Sequence, residues 1–331
     1  MGQGLKIGTA LVGLAGLTAG VLLIAYQGLD RVGGQLATAG WGIALVTLAH
    51  LLPMATSALA WRALARPLWQ ASFKVFLWAR LVRESVNGLL PVLQVGGDFV
   101  GARVLVFHKA RSVHAVASVL VDLTLEFVTQ IVFTAVGLGL LLLDGGGDLV
   151  GWGFVGLFIT AVAAAGFWIA QHKGLFKLVE RLGDFLARHL AWPGLTALAT
   201  LHDTVVSLYR RRDAVGIAIL WHLMSWMLGA FEVWLTLHFL GADLSFTSAL
   251  VIESLGQAIR TAAFFVPGAL GIQEGGFMAI GVLFGLGPEV GLSVSLVKRI
   301  RELVLGVPAL VAWQALEGRR LIGKLRREAG R

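Results

Sequence analysis

Long apolar runs alternate with short polar ones along this chain, and their lengths predict helices that cross a bilayer. Ile7 to Tyr26 and Trp41 to Trp61 contain no Asp, Glu, Lys or Arg, and about 20 apolar residues suffice to cross the hydrocarbon. Leu149–Ala170 is likewise uncharged, and Val116–Leu143 (with Asp122 and Glu126), Ala214–Leu240 (with Glu232) and Val290–Gln314 (with Lys298, Arg299, Arg301 and Glu302) are apolar enough to span around their charges, which gives about six full spans. Two further stretches are apolar but interrupted. Leu81–Phe107 holds Arg83, Glu84, Asn87, Pro91, Gly96, Gly97, Asp98 and Arg103; the stretch after Glu253 holds Arg260, Pro267, Gly268, Gly271, Glu274, Gly275 and Gly276. Proline breaks the helical hydrogen-bond ladder, and non-helical backbone at membrane depth is tolerated only where protein or a watery cavity covers it. Both stretches are therefore predicted to be broken, re-entrant helix segments.

The two interrupted stretches share their spacing. Seven residues separate Pro91 from Asp98 and Pro267 from Glu274; twenty-eight separate Asp98 from Glu126 and Glu274 from Glu302. The same ungapped alignment sets Asp122 against Lys298. An internal repeat is the reading this supports, with 81–143 as its first copy and 250–316 as its second. Around them lie the spans 7–61, 149–170 and 214–240 and a polar segment, 171–213, all within one transmembrane domain of 1–331. Leu175, Leu178, Val179, Leu182, Phe185 and Leu186 recur at helical spacing in that segment between Lys173, Lys177, Arg181 and Arg188. Such a pattern suits an amphipathic helix on a membrane surface and equally a helix packed on the bundle. Leu195, Leu198, Leu201, Val205 and Leu208 continue it.

Composition sharpens the class. Of 331 residues 57% are hydrophobic and 14% charged, with mean hydropathy +0.82, whereas soluble domains carry about 25% charged residues. The chain reads as an all-α polytopic membrane protein. It has no cysteine, which excludes disulfides, thiol nucleophiles and Cys-bound metals. The net charge of +8 comes from basic residues clustered between spans, so it signals topology and anionic headgroups rather than nucleic acid. Lys6, the 62–83 loop, the 108–111 turn, the 171–213 segment and the tail from Arg319 are expected on the cytoplasmic side. The loops 27–40, 144–148 and 241–249 hold one basic residue, Arg31, and are expected outside. Both termini are then cytoplasmic, and the two broken segments enter from opposite sides, as an inverted repeat. The run to Tyr26 is too long for a signal-peptide core and is read as a retained span.

A charged side chain at bilayer depth costs roughly 2.5–3.5 kcal/mol on insertion scales, so ionisable residues persist there when they pair or line a polar cavity. Asp98 and Glu274 lead the candidates, for cation binding, proton coupling or headgroup contact; each could instead cap a broken helix end. Glu126, Glu302, Lys298 and Arg299 follow. Lys298–Glu302 and Arg299–Glu302 have ion-pair spacing on one helix. Arg299 and Arg301 face different ways, so one needs a partner elsewhere, and Glu126, Asp122 or Asp98 could supply it. Glu84, Arg260, Arg103, Glu253 and Gln273 complete the constellation. Glu232, alone in its span, reads as a hydrogen-bonded structural residue. No metal is expected, since the eight histidines show no paired ligand spacing; no cofactor motif, P-loop lysine or nucleophile elbow is present.

Phe264 to Gly276 (FFVPGALGIQEGG), with Ser295 to Glu302 (SLVKRIRE), resembles the flippase-like family related to the transmembrane region of lysylphosphatidylglycerol synthases. It is nearest the hopanoid-biosynthesis-associated membrane proteins of the HpnL type. Gly96-Gly97-Asp98 with Arg103 is similar to the family's other marker, usually Gly-Gly-Glu with a nearby arginine. The resemblance implies a bacterial inner-membrane protein tied to lipid translocation, with hopanoids or anionic lipids as partners. The soluble aminoacyl-transferase domain of the synthases is not expected, because the chain ends at Arg331 just past the last span. The leading expectation is a lipid transporter with a charged midplane cavity. An integral-membrane lipid-modifying enzyme, using Asp98 or Glu274 as acid or base, and a non-catalytic scaffold for lipid-synthesis enzymes are the alternatives.

Overall fold

A computed structural model of the chain describes residues 29–90, 96–143, 196–264 and 266–329, with isolated positions at Thr18, Phe158 and Ala165. The predicted spans Ile7–Tyr26 and Leu149–Ala170, the loop Asp144–Asp148, Pro91 and residues 171–195 lie outside the described residues. Within them the chain is helical, with no strand.

The first elements are α1 (Leu29–Ala39), α2 (Gly42–Ala49) and α3 (Leu51–Ala65). Together α2 and α3 form one apolar rod, Gly42–Ala65. His50 sits at its joint, in helical conformation; Pro53 offers no N–H to the Ala49 carbonyl, which loosens the ladder there. α4 (Phe73–Leu89) starts earlier than the sequence pattern suggests. Arg80 and Arg83, expected in a cytoplasmic loop, are therefore inside a helix whose apolar side packs Phe76, Ala79 and Val82 against Trp61. α4 ends because Pro91 follows: Leu90 is extended at φ −97°, ψ 147°, the conformation a residue before proline favours. α5 (Gly96–Phe107) folds back against α4, and α6 (Ser112–Leu143) follows.

After the undescribed stretch come α7 (Thr196–Arg210) and α8 (Arg212–Phe239). α7 settles the choice left open for this part of the polar segment: Leu201, Val205 and Leu208 are buried against Ala60 and Leu64 of α3 and Val121 and Leu125 of α6. It is packed on the bundle. α8 runs antiparallel to α3, since Ser57 pairs with Ser225 at 2.9 Å and His50 with Glu232 at 2.8 Å.

The second interrupted stretch breaks beside its proline, as the first does. α9 (Phe246–Ala262) ends shortly before Val266, which is extended at φ −94°, ψ 119° ahead of Pro267. A short 3-10 turn, Pro267–Ala269, leads to α10 (Ile272–Leu283), and α11 (Pro288–Ala329) runs unbroken through Pro308. Gly96 and Ile272 open the short helices, Phe107 and Leu283 close them, and Ser112 and Pro288 open the long ones. Each pair is separated by the displacement that sets Asp98 against Glu274. The hairpins touch: a Cβ on Gly268 (φ 59°) would come within 2.8 Å of the Gly88 carbonyl oxygen at the end of α4. At that close approach, and at that positive φ, only glycine fits without strain.

Three rods are long and apolar enough to cross a membrane among the described residues: Gly42–Ala65, Ser112–Leu143 and Arg212–Phe239. Their apolar faces point outward. Val128, Val132 and Val136 of α6, and Ile217, Leu220, Met224 and Met227 of α8, are exposed, while Asp122, Gln130, His222 and Glu232 on the same helices are buried. In water this arrangement would be inverted. The chain is a multi-pass helical membrane protein.

Candidate functional site

α4 carries Arg80, Arg83 and Glu84 on one helical face, and these three reach almost every neighbouring element. Arg83 is buried among three carboxylates. It pairs with Asp98 at the start of α5, with Asp122 of α6 at 2.8 Å, and with Glu126 of α6 at 2.9 Å. One turn earlier Arg80 grips both oxygens of Glu126, at 3.0 and 2.6 Å, the two-pronged geometry that suits a guanidinium. The other oxygen of Asp122 lies 3.1 Å from Nε2 of His222 on α8. One arginine thus ties α5 and α6 to α4, and through Asp122 to α8.

A second set radiates from α11. Lys298 donates to both oxygens of Glu253 on α9, at 3.0 and 2.8 Å. Arg299 donates to Glu274 at 2.9 Å and to Glu302 at 3.0 Å. Arg301 pairs with Glu232 of α8. Arg260 of α9 closes the set on Glu302 at 2.7 Å. The two sets meet at His50, where Nε2 is 2.9 Å from Glu84 and Nδ1 is 2.8 Å from Glu232.

Between them lies a cavity of about 220 Å³. Arg80, Arg83, Arg260 and Arg301 line it together with Glu84, Asp98, Glu126, Glu232, Glu253, His50 and His222. It is roomy enough for several waters or a small polar headgroup.

The sequence-predicted residues divide into three groups. Asp98, Glu126, Glu84, Arg260 and Glu253 line the cavity. Glu274, Gln273, Lys298, Arg299 and Glu302 stand behind it and hold the second hairpin: Glu274 accepts the Gly271 N–H at 2.7 Å, in the first turn of α10, and Gln273 donates to Ser295 at 3.0 Å. The capping expected of Glu274 is therefore present, combined with its ion pair. Arg103 belongs to neither group. Its side chain is 58% exposed and pairs with Glu317 at the surface, because α5 turns that face away from α4.

Two pairings and one placement differ from expectation. The predicted Arg299–Glu302 pair forms, but Lys298 bonds Glu253 instead of Glu302, because α9 packs on that side of α11. Arg301 finds its partner in Glu232, and not in Glu126, Asp122 or Asp98. Glu232, the one acid within its span, is hydrogen-bonded to both His50 and Arg301, in keeping with the hydrogen-bonded role expected of it. Arg80, set with the loop by its basic neighbours Arg62, Arg66 and Lys74, is a cavity residue. His50, His222 and Gln130 carried no local signal; each becomes visible only when a distant helix is placed beside it. Arg80, Arg83 and Glu84 did carry one, since their spacing puts three charges on one face of an otherwise apolar run.

A family profile described as lysylphosphatidylglycerol synthase TM region matches residues 10–309. No curated protein and no solved structure matches the chain. The family match spans both hairpins, all the charged residues of the cavity and the rods around them, and the chain belongs to the lysylphosphatidylglycerol synthase transmembrane-region family.

Proposed function

We propose that the chain moves a polar-headed lipid between the leaflets of a bacterial inner membrane, by physical passage and without chemical change. The observation that carries this reading is the cavity: about 220 Å³ lined by both signs of charge, set between helices whose outer faces are apolar. A headgroup fits it while the tails stay in lipid. Guanidinium groups bind phosphate well, so anionic lipids suit Arg80 and Arg260, and hopanoid-related lipids are the second class that the family resemblance suggests. The matching boundaries of the two hairpins support an inverted repeat of re-entrant segments, the architecture by which transporters expose one site to each side in turn. Both termini would be cytoplasmic.

The test is a leaflet-specific lipid assay in liposomes, with the reconstituted chain and its Arg260→Gln variant. Movement by the wild type, slowed at least about tenfold in the variant, a loss of about 1.4 kcal/mol of barrier lowering, is the expected result. No movement of any hopanoid or anionic lipid by folded protein would refute the proposal. Mass spectrometry of the same lipids separates the enzyme reading, which requires a new chemical species.

A further inference from the structure

The ion pairs set out above do not balance. Leaving aside the surface pair of Arg103, the network among the described residues joins eight carboxylates to six arginine and lysine side chains. The deficit is two positive charges. Two histidines are embedded in the same network, His50 and His222, and each has a ring nitrogen against a carboxylate.

His50 is the more informative. Its two nitrogens face two different acids, Glu84 at 2.9 Å and Glu232 at 2.8 Å. A neutral imidazole has one N–H and can satisfy one of them; only the doubly protonated ring donates to both. The site also provides for the other state. Nη1 of Arg301 lies 2.8 Å from the same Nδ1, and a guanidinium only donates. With the proton gone, the Nδ1 lone pair accepts from Arg301 while Nε2–H still donates to Glu84. Nδ1 thus has an acceptor waiting for its protonated form and a donor waiting for its neutral one. Three charged groups from three elements face the ring: Glu84 from α4, Glu232 from α8 and Arg301 from α11; behind them stand Arg80 near Glu84, Lys298 near Glu232, and Glu302 and Glu253 near Arg301. His50 also lines the cavity, so water there can deliver or remove the proton.

We propose that His50, Glu84, Glu232 and Arg301 form a proton-binding site that drives the cavity between two arrangements, making lipid movement proton-coupled. The coupling rests on the transport reading; the proton site itself does not. A proton from cavity water binds Nδ1, the new N–H bonds Glu232, and Arg301 is released from Nδ1. On release the proton returns to water and Arg301 again donates to the ring. Arg301 also reaches Glu302 at 3.9 Å, and Glu302 holds Arg260 and Arg299, so displacement of one guanidinium is passed to the second hairpin.

Solid-state NMR of the full chain in liposomes, with ¹⁵N-labelled histidine and His50→Gln to assign the signals, reads the site directly. Across about pH 5 to 9, which covers the range of about 5 to 8 where an ordinary imidazole titrates, His50 passes from a doubly protonated ring to one protonated at Nε2 alone. A ring that holds one form throughout, or that loses its proton from Nε2, overturns the proposal. In Glu232→Gln the midpoint falls by about one pH unit or more, a tenfold change in proton affinity; an unmoved midpoint in folded variant overturns it, and the wild-type titration decides alone if the variant does not fold. In the leaflet assay, a pH gradient changes the wild-type rate and leaves that of His50→Gln unaltered. A wild type that moves lipid with no response to the gradient refutes coupling. A chain that titrates as described but moves no lipid refutes the transport reading and leaves the proton site standing.

Discussion

Taking Lys298 away would strand Glu253 at 2% exposure, with one amide, from Gln257 at 2.8 Å, left to hold its charge. Removing one partner of a buried pair typically costs about 3–5 kcal/mol, while replacing both with apolar groups is often neutral. Lys298→Met should therefore lower the thermal unfolding midpoint in detergent sharply, and the double variant with Glu253→Met should recover most of the loss. Arg103→Ala, at an exposed pair, should change stability by less than about 1 kcal/mol. A midpoint equally depressed by Arg103→Ala would contradict the placement of that arginine at the surface. The contrast also shows what single residues disclosed in the sequence. Charge in an apolar run announced Lys298, Asp98 and Glu126 as buried groups needing partners. Which partner each takes was not readable, because the Glu253 that meets Lys298 is 45 residues away and the Glu232 that meets Arg301 is 69 away. Local spacing favoured the i,i+4 pair because nothing in the sequence placed α9 on that side of α11.

At the scale of elements the sequence was more legible, because the signals are covalent. Proline fixes its own backbone and that of the residue before it, so Pro91 and Pro267 placed both breaks, and Leu90 and Val266 are extended as a consequence. The start of α4 was not legible: the basic residues Arg66, Lys74 and Arg80 look like one loop until Phe76 and Ala79 are seen packed around Trp61. Glycines set how closely the hairpin arms approach. A Cβ on Gly97 would lie 2.1 Å from the Arg83 carbonyl oxygen and 2.7 Å from Asn87 Oδ1, which itself accepts the Gly97 N–H at 2.7 Å. A backbone carbonyl has no rotamer by which to move aside. Gly97→Ala should therefore cost more than about 3 kcal/mol, the upper end of ordinary overpacking, and should displace Arg83 from Asp98. Gly139 of α6 has nothing within 4 Å of its Cβ position, and Gly139→Ala should stay within about 1 kcal/mol of the wild type. Thermal midpoints of the two variants, side by side, test whether close approach of α4 and α5 shapes the cavity.

For the whole molecule, the energetic problem is the number of buried charges. Fourteen of them without partners, at roughly 2.5–3.5 kcal/mol each, would exceed several times over the ~5–15 kcal/mol by which proteins are stable. The network resolves this by giving every cation a carboxylate on a different element, with Arg299 also pairing Glu302 on its own helix. The bundle therefore cannot separate into independent helices without breaking ion pairs in apolar surroundings. The same pairing fixes direction. α3 and α8 run antiparallel, with Ser57 at Ser225 and Gly42 beside Phe239, so the loop that follows α3 and the loop that follows α8 lie at opposite ends of the bundle. The first is flanked by Arg62, Arg66 and Lys74; the second, around Asp243, has no lysine or arginine between Leu240 and Phe246. Basic loops stay on the cytoplasmic side. In a chain with no native cysteine, Gln70→Cys and Asp243→Cys each give a single exposed thiol. A membrane-impermeant maleimide applied to intact cells should label Asp243→Cys and spare Gln70→Cys until the membrane is opened. Labelling of both from one side would show that α2–α3 and α8 do not both cross the bilayer, and the two-sided path for a lipid headgroup would be lost with them.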